Sequence, residues 1–144
     1  MSIKQISVFL ENKPGKLGEM TGVLAKNNID IRALSLAETK DFGIARMIVD
    51  DAFDAANILR DNDFIANFSP VLAFAVPDEP GGLHKLLDLF QQAKVNVEYM
   101  YAFLGSADTK HAYMIFRVTD TKASEAALAN LGVRSMTQEE ISNI

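Results

Sequence analysis

Apolar and polar positions alternate at the start of the chain: Ile6, Val8 and Leu10 share one parity, the period of a half-buried strand. Pro14-Gly15 ends that run. Leu17, Met20 and Leu24 then recur at helical spacing, with Val23 flanking them and Asn27-Asn28 closing the segment. A second strand is predicted over residues 29–36, where Ile29, Ile31 and Ala33 give way to Leu34 and Leu36, a change of phase that predicts a bulge. A hairpin at residues 40–43 leads to a third strand over 44–49. Asp51 stands at the N-cap of a short alanine-rich helix, and a closing strand is expected over 64–68.

The same order then recurs. Pro14-Gly15-Lys16-Leu17 matches Pro80-Gly81-Gly82-Leu83, and Asn28-Ile29-Asp30-Ile31 matches Lys94-Val95-Asn96-Val97. The second helix stripe is cleaner, with Leu83, Leu86, Leu87 and Phe90 at i, i+3, i+4 and i+7. Strands are predicted over 95–104 and 112–118, with a hairpin over 105–110, an N-cap at Asp120 and a closing strand over 133–136. Val49-Asp50-Asp51 matches Val118-Thr119-Asp120 only after three extra residues, which the 105–110 hairpin would absorb. Thr137 followed by Glu140 reads as a capping box. Two consecutive βαββαβ units, residues 1–69 and 70–144 with almost no linker, predict an α+β protein of ferredoxin-like type with antiparallel sheets and helices on one face.

The 144 residues leave room for two small domains without staples. Cysteine is absent, which removes disulfides, thiolate metal sites and a cysteine nucleophile. The formal charge of −5 disfavours a phosphate backbone as partner. The longest strictly apolar run, Val71 to Val76, is far shorter than the roughly 20 residues of a spanning helix, and residues 3–10 are too interrupted for a secretory signal. A soluble cytoplasmic protein is expected, with no membrane and no nucleic-acid partner.

Candidate chemistry gathers at the duplicated loop. In Glu11-Asn12-Lys13-Pro14-Gly15-Lys16-Leu17, proline fixes φ and glycine permits a tight turn. The amides from Gly15 to Leu17 open a helix without internal acceptors and suit a carboxylate or phosphate. A plain turn before a helix is the other reading of each Pro-Gly. Asp30 and Asn96, each at the start of a second strand, are read as lying beside the loop. There they would meet a ligand's ammonium or either end of a zwitterion, or else simply face solvent. Asn12 and Asp78 carry the same two readings.

A hydrophobic strand, then Asn-Lys-Pro-Gly-Lys-Leu, an amphipathic helix and Asn-Ile-Asp-Ile together resemble the ACT domain. Asp78-Glu79-Pro80-Gly81-Gly82-Leu83 with Val95-Asn96-Val97 resembles a second one. The resemblance covers nearly the whole chain and implies a stand-alone tandem protein without an attached enzyme. It implies a non-catalytic regulator that binds a small effector, usually an amino acid, where ACT units pair, with a homodimer and an enzyme as expected partners and no cofactor. By that resemblance the family's glycine loop carries over to Gly15 and Gly81, its polar loop position to Asn12 and Asp78, and its strand-start Asn or Asp to Asp30 and Asn96; the adjoining Lys13, Pro14, Lys16, Leu17 and Ile31, with Gly82 and Leu83 in the second half, complete the expected ligand-binding set. Some ACT domains carry a histidine two residues before the loop Asn; Leu10 and Val76 stand there instead. Lys13 and Lys16 face Glu79 and Gly82 in the other half, so the first loop is the better site for a carboxylate.

Other constellations carry less. His84 and His111 have no motif around them, and neither metal ligands nor catalytic residues are expected. Tyr99, Tyr101 and Phe103 alternate along one strand with Tyr113 on the next. That row suits a domain or subunit contact, or a base-stacking platform if it were open to solvent and flanked by cations. No Walker-type loop, Gly-x-Ser-x-Gly or zinc motif occurs. A structural or protein-interaction module whose glycine loops are mere turns is the alternative to an effector site.

Overall fold

A computed structural model describes residues 2–106 and 109–144. The elements are β1 (Ile3–Glu11), α1 (Lys16–Lys26), β2 (Ile31–Glu38), β3 (Phe42–Val49), α2 (Ala52–Asp61), β4 (Ile65–Pro77), α3 (Gly82–Gln92), β5 (Val97–Ala102), β6 (His111–Val118), α4 (Thr121–Asn130) and α5 (Gln138–Ser142). They group into a first unit, Lys4–Ser69, and a second, Pro70–Ile144, with which Ile3 also groups. Strands run in the order β2-β3-β1-β4 in the first unit and β4-β6-β5 in the second. The pairings of β3 with β1 and β2, and of β6 with β4 and β5, are antiparallel. This is the ferredoxin-like α+β arrangement that the repeated βαββαβ pattern predicts.

In the first unit Ile6, Val8 and Leu10 of β1 pack with Met20 and Leu24 of α1, Met47 and Val49 of β3 and Leu59 of α2. The alternation in β1 and the stripe on α1 thus meet in one core. In the second unit Leu72, Phe74 and Val76 take the β1 role and Leu86 and Phe90 that of α1, with Phe116, Val118 and Leu128 completing the core. Three positions that hold Val8, Leu24 and Met47 in one unit hold Phe74, Phe90 and Phe116 in the other. These rings stack edge-on with centroids 4.9 to 5.9 Å apart.

Short helices begin where a side chain can serve their unpaired amides. Asp51 accepts from the Asp54 N–H and Asp120 from the Ala123 N–H, each at 3.0 Å. The Thr137 hydroxyl accepts from the Glu140 N–H while the Glu140 carboxylate accepts from the Thr137 N–H, a complete capping box on α5. Arg134 donates to both oxygens of Glu140, at 2.8 and 3.0 Å. That guanidinium, with the Thr137 amide second, lowers the Glu140 carboxyl from 4.5 to about 2. A carboxyl lowered in the folded state stabilises it above the unfolded value and ceases to as the pH falls through the folded one. The anchoring of α5 is therefore expected to weaken as pH falls from about 4.5 to about 2. Amide chemical shifts of α5 should follow that window in the wild type and lose it in Glu140→Gln.

Three expectations need correction. The closing strand over 133–136 is not a strand. Met136 N–H donates to the Ala73 carbonyl of β4 at 2.8 Å, and the Arg134 and Ser135 side chains turn to Glu140 and Glu125, the latter at 2.6 Å. The closing strand of the first unit and the opening strand of the second are one 13-residue strand, β4, running through Pro70. The bulge lies between Ile31 and Ala33 rather than after Ala33, and recurs between Val97 and Tyr99. Of the hairpin expected over 105–110, Ala107 and Asp108 fall outside the described residues.

Candidate functional site

The duplicated loops repeat bond for bond. Asn12 N–H donates to the Asp41 carbonyl and Asp78 N–H to that of Lys110. Lys13 N–H reaches Glu11, as Glu79 N–H reaches Pro77, both at 2.9 Å. Gly15 and Gly81 sit at the N-caps of α1 and α3 with φ +87°, the left-handed region that favours glycine. A Cβ on either would meet nothing within 4 Å, so backbone conformation alone demands glycine there. Of the first-turn amides of α1, which lack helical acceptors, that of Lys16 donates to the Lys13 carbonyl at 3.3 Å.

Beside the first loop lies a cleft of about 360 Å³. Its apolar walls are Leu10, Leu17 and Leu36. Its charges are Glu11, Glu38, Lys13 and Lys16, and Asn12 and Gly43 complete the lining. Two cations and two anions around an apolar floor match a zwitterion in sign, and the volume falls within the roughly 300–1,000 Å³ of small-molecule sites. The protein's own groups already answer part of that charge. Lys13 meets Glu11 at 2.8 Å, and Lys16 meets Glu19 at 3.6 Å. The Lys13 hydrogen bond, with the Lys16 charge adding to it, holds the Glu11 carboxyl below its ordinary value, and Glu11 in turn raises the Lys13 ammonium. Asn12 donates its side-chain amide to Glu38 at 3.2 Å, bracing the loop against the β2–β3 hairpin.

Of the sequence-predicted residues, Asn12, Lys13, Lys16 and Leu17 line this cleft, whereas Pro14 and Gly15 shape the turn without lining it. Asp30 and Ile31 are not beside the loop. Ile31 pairs with Val49, while Leu10 and Glu38 both pair with Gly43. About seven residues, roughly 23 Å of strand, therefore separate Asp30 from the cleft. Asp30 instead binds Arg32 at 3.2 Å and takes its N–H to Asp50. Asn96 occupies the same far position in the second unit, donating to the Thr119 hydroxyl at 3.0 Å. Leu36, Glu38 and Gly43, which sequence reasoning missed, enter through strand pairing, and no local motif announces them.

The second loop differs where it matters. A Cβ on Gly82 would lie 2.1 Å from the Pro77 carbonyl oxygen, so the place held by Lys16 in the first unit is filled by backbone in the second. A smaller cleft of about 210 Å³ there is lined by Asp78, Phe103, His111 and Tyr113 among others, and by none of Gly81, Gly82 and Leu83. His84 lies on the outer face of α3, 3.5 Å from Asp88.

Two further clefts were not anticipated. One of about 440 Å³ adjoins the first loop and is lined by Phe9, Phe42, Phe64 and Ile65 as well as Leu10, Glu11 and Lys16. Another, of about 730 Å³, lies at the start of α4 among Arg117, Thr119, Asp120 and Lys122. Its Arg117 is engaged by the Pro70 carbonyl at 2.8 Å and by Glu98 at 3.6 Å. Tyr101 is 9% exposed, so the alternating aromatics of β5 do not form an open stacking face. No helix among the described residues is long and apolar enough to cross a membrane, and no group of three or more His, Asp or Glu among them could hold a metal ion.

A family profile described as an ACT domain pair matches residues 1–144. Protein BT0572 from Bacteroides thetaiotaomicron is 38% identical, with a TM-score of 0.90 over 100% of this chain and 98% of that one. The ligand-free regulatory subunit of aspartate kinase from Thermus thermophilus superposes with a TM-score of 0.63 at 15% identity, over 88% of this chain and 90% of that one. The corresponding subunit from Thermus flavus gives 0.61 at 16% identity, covering 90% of each chain. Among curated proteins none matches.

Proposed function

Because this chain belongs to the ACT domain pair family, we propose that it is a non-catalytic regulatory protein whose effector is a free amino acid held at the first glycine loop. The observation that carries this reading is the cleft of about 360 Å³ in which Lys13, Lys16, Glu11 and Glu38 surround a leucine floor beside the opening of α1. A carboxylate there gains from the Lys16 ammonium and the positive end of the α1 dipole. An ammonium gains from Glu11 and Glu38. The protein acts in the cytoplasm as a homodimer and passes its state to an enzyme partner. Effector binding favours one pairing geometry of the dimer, by as much as the two geometries differ in affinity for it.

A second reading, an interaction module without a ligand, draws on Asn12 being spent on the hairpin and Lys13 on Glu11. Calorimetry separates the two. At least one of the twenty amino acids should bind the wild type saturably. Gly15→Asp, which places a carboxylate among the loop amides, should weaken that binding by about tenfold or more. The space around Gly15 is open, so this variant loses only about 1–2 kcal/mol to its left-handed backbone and stays folded. Binding by no amino acid, or binding indifferent to the substitution, favours the second reading.

A further inference from the structure

We propose that the effector is an amino acid with a bulky apolar side chain, its carboxylate on Lys16 and its side chain against Phe9, Phe42 and Ile65; this rests on the amino-acid-binding reading above. Leu10, Glu11 and Lys16 line both clefts of the first unit, so Lys16 stands on a wall common to them. On the side away from Asn12, three large apolar side chains are left in water around one depression: Phe9 is 44% exposed, Phe42 55% and Ile65 63%. An apolar group laid over them removes their surface and its own from water together.

The charges select the head group. The Lys16–Glu19 pair is long, at 3.6 Å, and Glu19 is well exposed, so a ligand carboxylate displaces Glu19 at little cost. Glu11, which lines both clefts, then receives the ligand ammonium. Phe42 pairs with Glu11 across β1 and β3, which sets the apolar wall next to that head-group site. An acidic side chain would meet Glu11, Glu19 and Asp63, all lining the same cleft, and a small polar one would leave the aromatic rings uncovered.

Calorimetry on the full chain with phenylalanine, leucine, serine and aspartate tests this. Phenylalanine and leucine should bind at least about tenfold more tightly than the other two. Phe42→Thr, a strand-compatible change at an exposed position, should weaken those two about tenfold and leave the sedimentation coefficient unchanged. Serine or aspartate binding as tightly as phenylalanine overturns the proposal. So does Phe42→Thr leaving phenylalanine affinity intact, or altering the oligomeric state instead, which would make the patch a subunit contact. Binding by none of the twenty amino acids overturns the underlying reading itself and this proposal with it.

Discussion

Replacing Phe116 with alanine is expected to destabilise the protein by about 4 kcal/mol, measured as a lowered midpoint in urea denaturation. Phe116 is fully buried, and its ring meets those of Phe74 and Phe90 at centroid distances of 5.9 and 4.9 Å, edge to face. Truncation removes the transfer free energy of the ring and both aromatic contacts. It also leaves a cavity between a strand and a helix whose backbones are held by their own hydrogen bonds and cannot collapse into it. The counterpart in the first unit, Met47, is equally buried but flexible, and the buried members of its core cluster include no aromatic ring, so Met47→Ala should cost less, about 3 kcal/mol. A loss below about 1 kcal/mol for Phe116→Ala would mean that the ring cluster is not packed as described.

The second large effect is Gly82→Ala, for which a loss of about 3 kcal/mol is expected. The added methyl would fall 2.1 Å from the Pro77 carbonyl oxygen and 3.2 Å from its carbon. Both are backbone atoms at the end of a strand, which cannot swing away as a side-chain tip would. Gly15→Ala provides the comparison. Its Cβ would meet nothing, so only the left-handed backbone counts, at about 1–2 kcal/mol. Parallel denaturation of the two variants distinguishes a glycine required by a neighbour from one required by φ. Equal losses would show that the second loop relaxes and that its closure is not steric.

What was legible in the sequence is what short stretches of chain decide. The alternation of Ile6, Val8 and Leu10, the stripe on α1, the caps at Asp51 and Asp120 and the Thr137–Glu140 box depend on residues within a few positions of one another, and all are present. Duplication then revealed the fold, because two copies of a local pattern testify to the same architecture. The site was only half legible. Asn12, Lys13, Lys16 and Leu17 were found because a loop is contiguous, whereas Leu36, Glu38 and Gly43 reach the cleft through strand register.

Asp30 was misplaced for a geometric reason. The 11 residues of α1 carry the chain about 16 Å back along the sheet, so a strand that begins after the helix begins at the far end from the loop. The segment over 133–136 is not a strand although the repeated element order predicts one: Met136 N–H reaches the Ala73 carbonyl, while the Arg134 and Ser135 side chains bind Glu140 and Glu125. Single-segment hydrophobicity carries no sign of those distant partners.

The uninterrupted course of β4 through Pro70 has a bearing on inheritance. Domain boundaries commonly fall in an exposed, flexible tether that tolerates insertion. Here the tether has been absorbed into secondary structure, so any crossover at the midpoint must sever a strand. The two copies are thus joined without a hinge loop, and they differ by substitutions such as Lys16 against Gly82 and by the three extra residues ahead of β6.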